Sequence, residues 1–547
     1  MIFLSTLLLS VLITIALVPV FSTLAVRWQL VDLPGARKVH TRAMPRCGGI
    51  AMALGAFVPV LLWNYMDPLV QGWLAGALIL VAFGLADDFR GLRPRWKFLG
   101  QIAAALFVIF WGGVKIRTLG MLAPDDFLLP GWVSVPLTLL AIVGVTNAIN
   151  LADGLDGLAG GICLLIFTCI GYLAYIEGDT VNGLVALALV GAIFGFLRYN
   201  TFPATVFMGD TGSQLLGFSA VTLSLDLTQG NTALSPVLPL ILVGIPVLDT
   251  LTVMATRIVR GRSPFTGDQH HFHHNLMALG LRHTESVTLI YAGQTALVLA
   301  AFLLRFYSDW LLLTGYLVFS VVTIVLLSLA GRNGWHEKLV DVTGHGSSVF
   351  RYLQNVRTKG IAIRYAFPAL EAGLYLILLV ICALPAKVPV YMTYSTLPFG
   401  ALILATRIWK KEWLADVLRF TLYLLIPVVV YAGDQACAAW AVGFPMRLCN
   451  TSFGFLAILD IAVSKLSKRR DGFKSTPLDF LILLLAIGIP NMPERSLQEF
   501  QLGLIAAKII LLYFSFEVLM AEMRREFDRF AVVTGVALLV LFVRGIL

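Results

Sequence analysis

The stretch NAINLADGLDGLAGG, residues 147–161, places Asn147, Asn150, Asp153 and Asp156 at three-residue spacing between two apolar runs. On an ideal helix three residues turn the chain by about 300°, so Asn147 and Asn150 share a face while Asp156 comes nearly opposite Asn147. One continuous helix cannot aim all four side chains at one place. Gly154 and Gly157 resolve the conflict, because glycine readily ends a helix. The spacing predicts a helix that stops inside this stretch and lets both aspartates turn back. Irregular polar backbone at a membrane edge is tolerated where it lines a watered cavity.

The two apolar runs belong to a chain that is 59% hydrophobic and 13% charged, with a mean hydropathy of +0.87. Those values lie far from the soluble average and imply an all-α fold, a polytopic transmembrane helical bundle. With roughly 20 apolar residues needed per span, about eleven segments precede Ala330 and about seven more lie between Tyr365 and Leu547. Three regions are expected: a membrane domain over 1–330, a polar cytoplasmic linker over 331–364, and a C-terminal transmembrane region over 365–547. The first apolar segment has no basic residue ahead of it and reads as a retained span, not a cleaved signal peptide. Six cysteines show no metal or redox spacing and read as packing residues.

Charge placement orients the spans. If they alternate, Arg37, Lys38, Arg42, Arg46, Arg90, Arg93, Arg95, Lys97, Arg257, Arg260 and Arg262 all fall on one face, which the positive-inside rule makes cytoplasmic. The net charge of +9 is thereby a topology signal and gives no reason to infer a nucleic-acid partner. Five polar islands follow the first, third, fifth, seventh and ninth spans: DLPGARKVHTRAMPRCGG (32–49), ADDFRGLRPRWK (86–97), NAINLADGLDG (147–157), NTFPATVFMGDTGS (200–213) and RGRSPFTGDQHHFHHNL (260–276). All five share the cytoplasmic face, and their content exceeds what short connecting loops require.

Asp87, Asp88, Asp153, Asp156 and Asp210, with Asn147, Asn150 and Asn200, form an oxygen-donor set suited to Mg²⁺, which binds one or two carboxylates plus substrate phosphates. Arg37, Lys38, His40 and the histidines at 270–274 supply charge for phosphate oxygens. Carboxylates, a divalent cation and basic groups together describe phosphoryl transfer. Gly209 and Gly212, flanking Asp210, read as room for backbone to approach a phosphate.

ADDFRGLRP, NAINLADGLDGLAGG, NTFPATVFMGDTGS and SPFTGDQHHFHHNLMALG resemble, in order, the signatures of the polyprenyl-phosphate N-acetylhexosamine-1-phosphate transferase family, and RKVHTRAMPRCGGIAM resembles its N-terminal segment. The likeness covers roughly the first 330 residues. It implies a multi-pass enzyme of the bacterial inner membrane with its active site facing the cytoplasm. Such an enzyme moves a sugar-1-phosphate from a UDP-amino sugar to undecaprenyl phosphate, releasing UMP, with Mg²⁺ as cofactor and Mn²⁺ as the alternative ion.

By the same resemblance, Asp210 and Asn150 match metal-site residues. Asp87 and Asp88 match the paired catalytic carboxylates, and Asp153 and Asp156 match catalytic positions beside the nucleotide and metal. Asn147, Asn200, His271, His273 and His274 match substrate-binding positions, to which Lys38 and His40 are added from the N-terminal island. Relatives carry Asp-Arg-x-His where this chain reads DQHH, with Gln269 in place of the arginine. The HHFHH run resembles the GlcNAc-using branch, so UDP-GlcNAc is the expected donor, with UDP-FucNAc or UDP-QuiNAc as alternatives. A cell-surface polysaccharide such as O-antigen is the expected product, and a homodimer is the expected assembly.

Competing readings attach to the same residues. A glycine-flanked aspartate taken alone is a helix cap or turn, and Asp87 and Asp88 taken alone solvate a span end. His271 and His274, three apart, and His270 and His274, four apart, have zinc spacing, but the oxygen donors around them favour Mg²⁺. Asp249, Asp434, Asp460 and Glu517 sit within apolar segments, as acids do in ion-coupled transporters, although neither an internal repeat nor half-helices accompany them. Beyond Ala330 no motif is assignable. Glu371, Asp434, Asp460 and Lys465 are candidates to pair across helices in a region read as structural.

Overall fold

The computed structural model describes residues 2–32, 43–124, 127–230, 232–263, 271–332, 361–386, 388, 390–409, 411–435, 443–466, 502–523 and 527–546. The chain divides into two units, Met1–Asp341 and Val342–Leu547. Lys38, His40 and His270, and most of the expected linker, lie outside the described residues.

The first unit opens with α1 (Ile2–Arg27), a two-residue antiparallel ladder of β1 (Val31–Asp32) with β2 (Met44–Pro45), and α2 (Gly48–Asn64). It continues through α3 (Pro68–Arg90), α4 (Pro94–Phe110), α5 (Gly131–Ala152), α6 (Leu158–Glu177), α7 (Thr180–Asn200) and α8 (Gly209–Gln229). The last elements are α9 (Leu238–Leu242), α10 (Gly244–Val259), α11 (Phe272–Ala278), α12 (His283–Leu303) and α13 (Asp309–Arg332). With α9 and α10 taken as one broken helix, eleven longer helices are described in this unit, matching the number of apolar segments in the sequence, and seven of them are long and apolar enough to cross a membrane.

Local chemistry sets the boundaries. Asp67 caps α3 by accepting from the N–H groups of Leu69 (2.8 Å) and Val70 (3.4 Å), Pro68 occupies the first turn, and Gly91 ends the helix at φ +62°. The helix of the 147–161 stretch stops at Ala152 and the next begins at Leu158, with Gly157 left-handed at φ +79°. The expected interruption is present.

Helix α8 is the hub, packed against α2, α3, α5 and α6. Thr211, Ser213, Gln214, Ser219, Thr222 and Ser224 lie on it fully buried, and Trp73 Nε1 donates to Ser219 Oγ at 2.9 Å. A helix enclosed by other helices need not be greasy, and small and polar residues allow close approach where no water drives association. The α1–α7 contact uses the same device: a Cβ at Gly191 would stand 2.6 Å from the Leu7 carbonyl oxygen.

The break between α9 and α10 was not foreseen from sequence. Its exposed carbonyls find side-chain donors: Gln294 Nε2 donates to Leu242 O at 2.6 Å, and Tyr316 OH donates to Gly244 O at 2.9 Å. Asp249, on α10, accepts from the Phe272 N–H (2.8 Å) and meets His271 Nδ1 at 3.0 Å. It caps α11 and fixes a histidine, which accounts for an acid in an apolar segment without ion transport.

The second unit contains α14 (Ile361–Ala383), α15 (Val390–Trp409), α16 (Leu414–Gln435), α17 (Phe444–Leu466), α18 (Leu502–Glu522) and α19 (Asp528–Ile546). About seven spans are expected here; six helices are described, three of them long and apolar enough to cross a membrane, and residues 467–501 lie outside the described ones. The acids find partners on neighbouring helices. Lys508 Nζ meets both oxygens of Asp434 at 2.7 Å, Ser515 Oγ contacts Asp460, and Arg419 Nε and Tyr423 OH meet Glu517 at 3.0 and 2.6 Å. Glu371 bonds Tyr375 one turn away at 3.1 Å, while the Lys465 side chain lies outside the described ones. Over both units, ten described helices are long and apolar enough to cross a membrane.

Candidate active site

Five sequence islands far apart in the chain meet at one cavity of about 790 Å³. Its lining includes Arg46 from the first island, Asp88 from the second, Asp153 and Asp156 from the third, Asp210 from the fourth and His274 from the fifth. Asn150, Asn200 and Ser213 complete its polar wall.

Helix α8 begins in this cavity, and several glycines let it do so. A Cβ on Gly84 would come 2.6 Å from Thr211 Cα, and one on Gly49 would come 2.3 Å from Gly212 N. Gly209 is left-handed at φ +68°, and its missing side chain leaves space filled by the Asp88 carboxylate, 2.5 Å from where a Cβ would be. A Cβ on Gly212 would come 2.8 Å from both Met52 Cε and Met208 Cβ. On the side where a Cβ would stand, both glycines near Asp210 are thus filled by protein, while Gly209 also lines the cavity.

Asp87 and Asp88 have separate tasks. Asp88 Oδ1 accepts from the Asp210 N–H (3.0 Å), and Oδ2 accepts from the Thr211 N–H (3.2 Å) and Thr211 Oγ1 (2.8 Å). A carboxylate at a helix N-terminus satisfies orphan donors and opposes the helix dipole, so Asp88 anchors the end of α8 that carries Asp210. Asp87 Oδ1 accepts from the Leu92 N–H at 2.6 Å, and Oδ2 lies 2.5 Å from Lys97 Nζ. The same ammonium stands 2.7 Å from Asp210 Oδ2. Lys97 thus marks a point between two carboxylates where positive charge is stabilised. The sequence reading left it out of the site, although the second island ends on it.

Asn150 donates from Nδ2 to Ser213 Oγ at 2.7 Å. Asn147 is one layer deeper, exchanging bonds with Gln101 (Nδ2 to Oε1, 2.6 Å), whose own Nε2 lies 3.3 Å from Gln214 Oε1, and it is not part of the cavity lining. Asp153 follows the last turn of α5. Burial pushes its carboxyl up to about 7, the charges of Asp210, Asp156 and Asp88 add to the rise, and Arg46 opposes it. It is thereby suited to hold or release a proton near neutral pH. Asp156 Oδ2 accepts from the Ala204 N–H at 2.9 Å. Asn200, 3% exposed, accepts from the Gly157 N–H (3.0 Å) and donates to the Val206 carbonyl (2.9 Å), tying the third island to the fourth.

The histidines also divide. His274 lines the cavity, whereas His271 and His273 are 5% and 3% exposed. His271 is held by Asp249. His273 packs on the Gly154 backbone, where a Cβ would stand 2.3 Å from Nε2, and burial with the neighbouring His274, His271 and His283 lowers its pKa to about 3. It is neutral at physiological pH and buttresses the turn that carries Asp153. Arg46, paired with Asp32 and bridged in parallel to Phe207, is a second cationic group that the sequence reading left out of the site.

The oxygen-rich set fits a hard cation better than zinc. No group of three or more His, Cys, Asp or Glu among the described residues could hold a metal by itself. Two carboxylates around one cationic point instead suit an ion whose remaining ligands come from water and substrate phosphate.

Known proteins give the arrangement its family. The sequence profile of glycosyl transferase family 4 matches residues 70–228. The chain is 36% identical over 323 residues to a probable undecaprenyl-phosphate N-acetylglucosaminyl 1-phosphate transferase of Bacillus subtilis, covering 57% of this chain and 87% of that protein. It is 32% identical over 298 residues to the undecaprenyl-phosphate alpha-N-acetylglucosaminyl 1-phosphate transferase of Escherichia coli K12, covering 53% and 81%. A decaprenyl-phosphate N-acetylglucosaminephosphotransferase of Mycolicibacterium smegmatis is 33% identical over 382 residues, covering 59% and 89%. With more than four-fifths of each relative spanned and the motif islands gathered at one cavity, the chain belongs to glycosyl transferase family 4, among its polyprenyl-phosphate hexosamine-phosphate transferases.

Proposed function

We propose that this protein transfers N-acetylglucosamine-1-phosphate from UDP-GlcNAc to undecaprenyl phosphate, releasing UMP, at the cytoplasmic face of the bacterial inner membrane. The observation that carries the reading is the convergence of Asp87 and Asp210 on the Lys97 ammonium beside the cavity. Phosphoryl transfer needs positive charge against phosphate oxygens, positioned by carboxylates that keep it in place. The names of the relatives supply the sugar and the class of lipid. In the net reaction an oxygen of the lipid phosphate bonds to the sugar-bearing phosphorus, and the bond from that phosphorus to UMP breaks.

Mg²⁺, with Asp210, Asp87 and Asn150 as its protein donors, supplies charge against the diphosphate when bound. The rest is work for the chain. Asp88 holds the N-terminus of α8, and with it Asp210, in register. Lys97 and Arg46 offer cations to phosphate oxygens as their carboxylate partners turn to other ligands. Asp153, with a pKa of about 7, exchanges a proton at the cavity. Initiation of a cell-surface polysaccharide is the setting this chemistry serves, with O-antigen as one such product, and a homodimer is the proposed assembly.

The test is a membrane assay with radiolabelled UDP-GlcNAc and undecaprenyl phosphate. A butanol-soluble lipid whose mass equals undecaprenyl diphosphate plus one N-acetylhexosamine residue (the sugar less one water), formed with an equal amount of UMP, is the expected result. Product formed only from UDP-FucNAc or UDP-QuiNAc would replace the sugar, and no lipid-linked product from any UDP-amino sugar would overturn the reaction.

A further inference from the structure

Asp156 is held from behind by a residue outside all five islands. Its backbone N–H donates to His283 Nε2 at 3.1 Å, while its carboxylate accepts from the Ala204 N–H. The His283 ring stacks on Phe202, with centroids 4.5 Å apart and planes 28° from parallel. Asp156, Ala204, Phe202 and His283 thereby close a ring of contacts in the cavity wall, which all four line. The ring joins the 153–157 turn, the 201–205 loop and the first residue of α12.

Proton counting shows what the imidazole contributes. A neutral imidazole offers one acceptor nitrogen and one donor. Because Nε2 accepts from Asp156, the proton belongs on Nδ1, and that atom is buried without a hydrogen-bond partner among the described residues. An unsatisfied buried donor is unfavourable, and a phenyl ring would stack on Phe202 without it. What histidine provides and phenylalanine cannot is the acceptor for the Asp156 N–H. The turn needs such ties. It lies between α5 and α6, and its other ties to distant parts of the chain are the Asp156 carboxylate to the Ala204 N–H, Asn200 to the Gly157 N–H, Tyr291 OH to the Gly157 carbonyl and the packing of His273 on Gly154.

We infer that His283 is a positioning residue for sugar-phosphate transfer, acting through the Asp156 backbone to aim the carboxylates of Asp153 and Asp156 into the cavity. The inference rests on the transfer reaction proposed above. It gives the lone histidine of LRHTES a part in the site without contact with the reacting atoms.

Two variants of the full chain, purified in detergent, separate acceptor from packing. His283→Phe keeps the stack and removes the acceptor, whereas His283→Gln removes the ring and returns an acceptor oxygen. Misplacement of reacting groups by about 1 Å costs on the order of 100-fold in rate, so His283→Phe is expected to lose roughly 30- to 100-fold in kcat with KM for UDP-GlcNAc little changed. His283→Gln is expected to recover most of that loss. Hydrogen–deuterium exchange without substrate should quicken over 150–160 and 200–208 in the Phe variant and stay close to wild type in the Gln variant. Wild-type kcat in His283→Phe, or equal impairment of both variants with unchanged exchange over 150–160, would overturn the inference. If the wild type makes no lipid-linked product, the reaction reading fails by itself, and the exchange data still decide whether His283 holds the turn.

Discussion

The Asp88 carboxylate accepts the backbone N–H of Asp210 at 3.0 Å, so one acid of the site sets the place of another through the main chain. Asp87, its neighbour in sequence, reaches Lys97 instead. This division makes the two adjacent aspartates separable by experiment.

Asp88→Ala removes three hydrogen bonds from the start of α8, each worth about 1.5–3 kcal/mol where one partner is charged. It is expected to lower thermal stability and abolish transfer together. Asp87→Ala should leave the melting temperature within a few degrees of wild type while transfer falls by two orders of magnitude or more, on the scale of lost electrostatic groups at a transition state. Melting curves in detergent beside the radiolabel assay check both. Equal destabilisation by the two substitutions would mean that the division of labour is wrong.

Replacing Asp210 by asparagine keeps the size and removes the charge that faces Lys97 at 2.7 Å. An amide cannot offset crowded phosphates in concert with a cation, so Asp210→Asn is expected to be folded and inactive. Turnover within tenfold of wild type in saturating Mg²⁺ would remove Asp210 from the metal site.

Crowding at the start of α8 predicts a sharp contrast between two glycines. An added methyl at Gly84 meets Thr211 Cα at 2.6 Å, whereas one at Gly144 meets nothing within 4 Å. Overpacking against side chains costs about 1–3 kcal/mol, and backbone yields less. Gly84→Ala should therefore lose activity through displacement of α8, and Gly144→Ala should match wild type in melting temperature and turnover.

How much of this was legible in advance depends on the kind of contact. The helix stop between Ala152 and Leu158 was readable, because three-residue spacing and two glycines are local facts. The meeting of five islands was readable too, since alternation of spans and basic loops places them on one face. The separate tasks of Asp87 and Asp88 were not: they depend on N–H groups that α8 brings from 122 residues away. His271 and His273 read as substrate contacts because a histidine motif does not reveal which rings are buried. Lys97 and Arg46 were visible as topology charges, and that reading hid the place of Arg46 in the cavity wall and the contact of Lys97 with Asp87 and Asp210. His283 had only a single imidazole at the start of a helix to announce it.

Buried neutral His273 gives stability a pH dependence with a defined sign. An unfolded histidine takes up its proton near pH 6.5, whereas the folded ring does so only near 3. Between those values the unfolded state binds the additional proton, so stability declines as pH falls below about 6.5, by roughly 1.4 kcal/mol per unit from this residue. The loss of melting temperature between pH 7.5 and 5.5 should be smaller in His273→Gln than in wild type. Identical losses would show that His273 does not resist protonation.

The orientation of the cavity decides whether UDP-sugars can reach it, and it was inferred from basic residues alone. Arg93 lies exposed between α3 and α4, next to the helix end that bears Asp87 and Asp88. A single cysteine at this position, and another at Thr266, each in a background with the six native cysteines removed, should resist a membrane-impermeant thiol reagent in intact cells. Both should react once the membrane is opened. Bound UDP-GlcNAc should slow the reaction if the loop borders its site. Labelling of either position from outside would place the cavity on the far face and would overturn the cytoplasmic orientation proposed for the site.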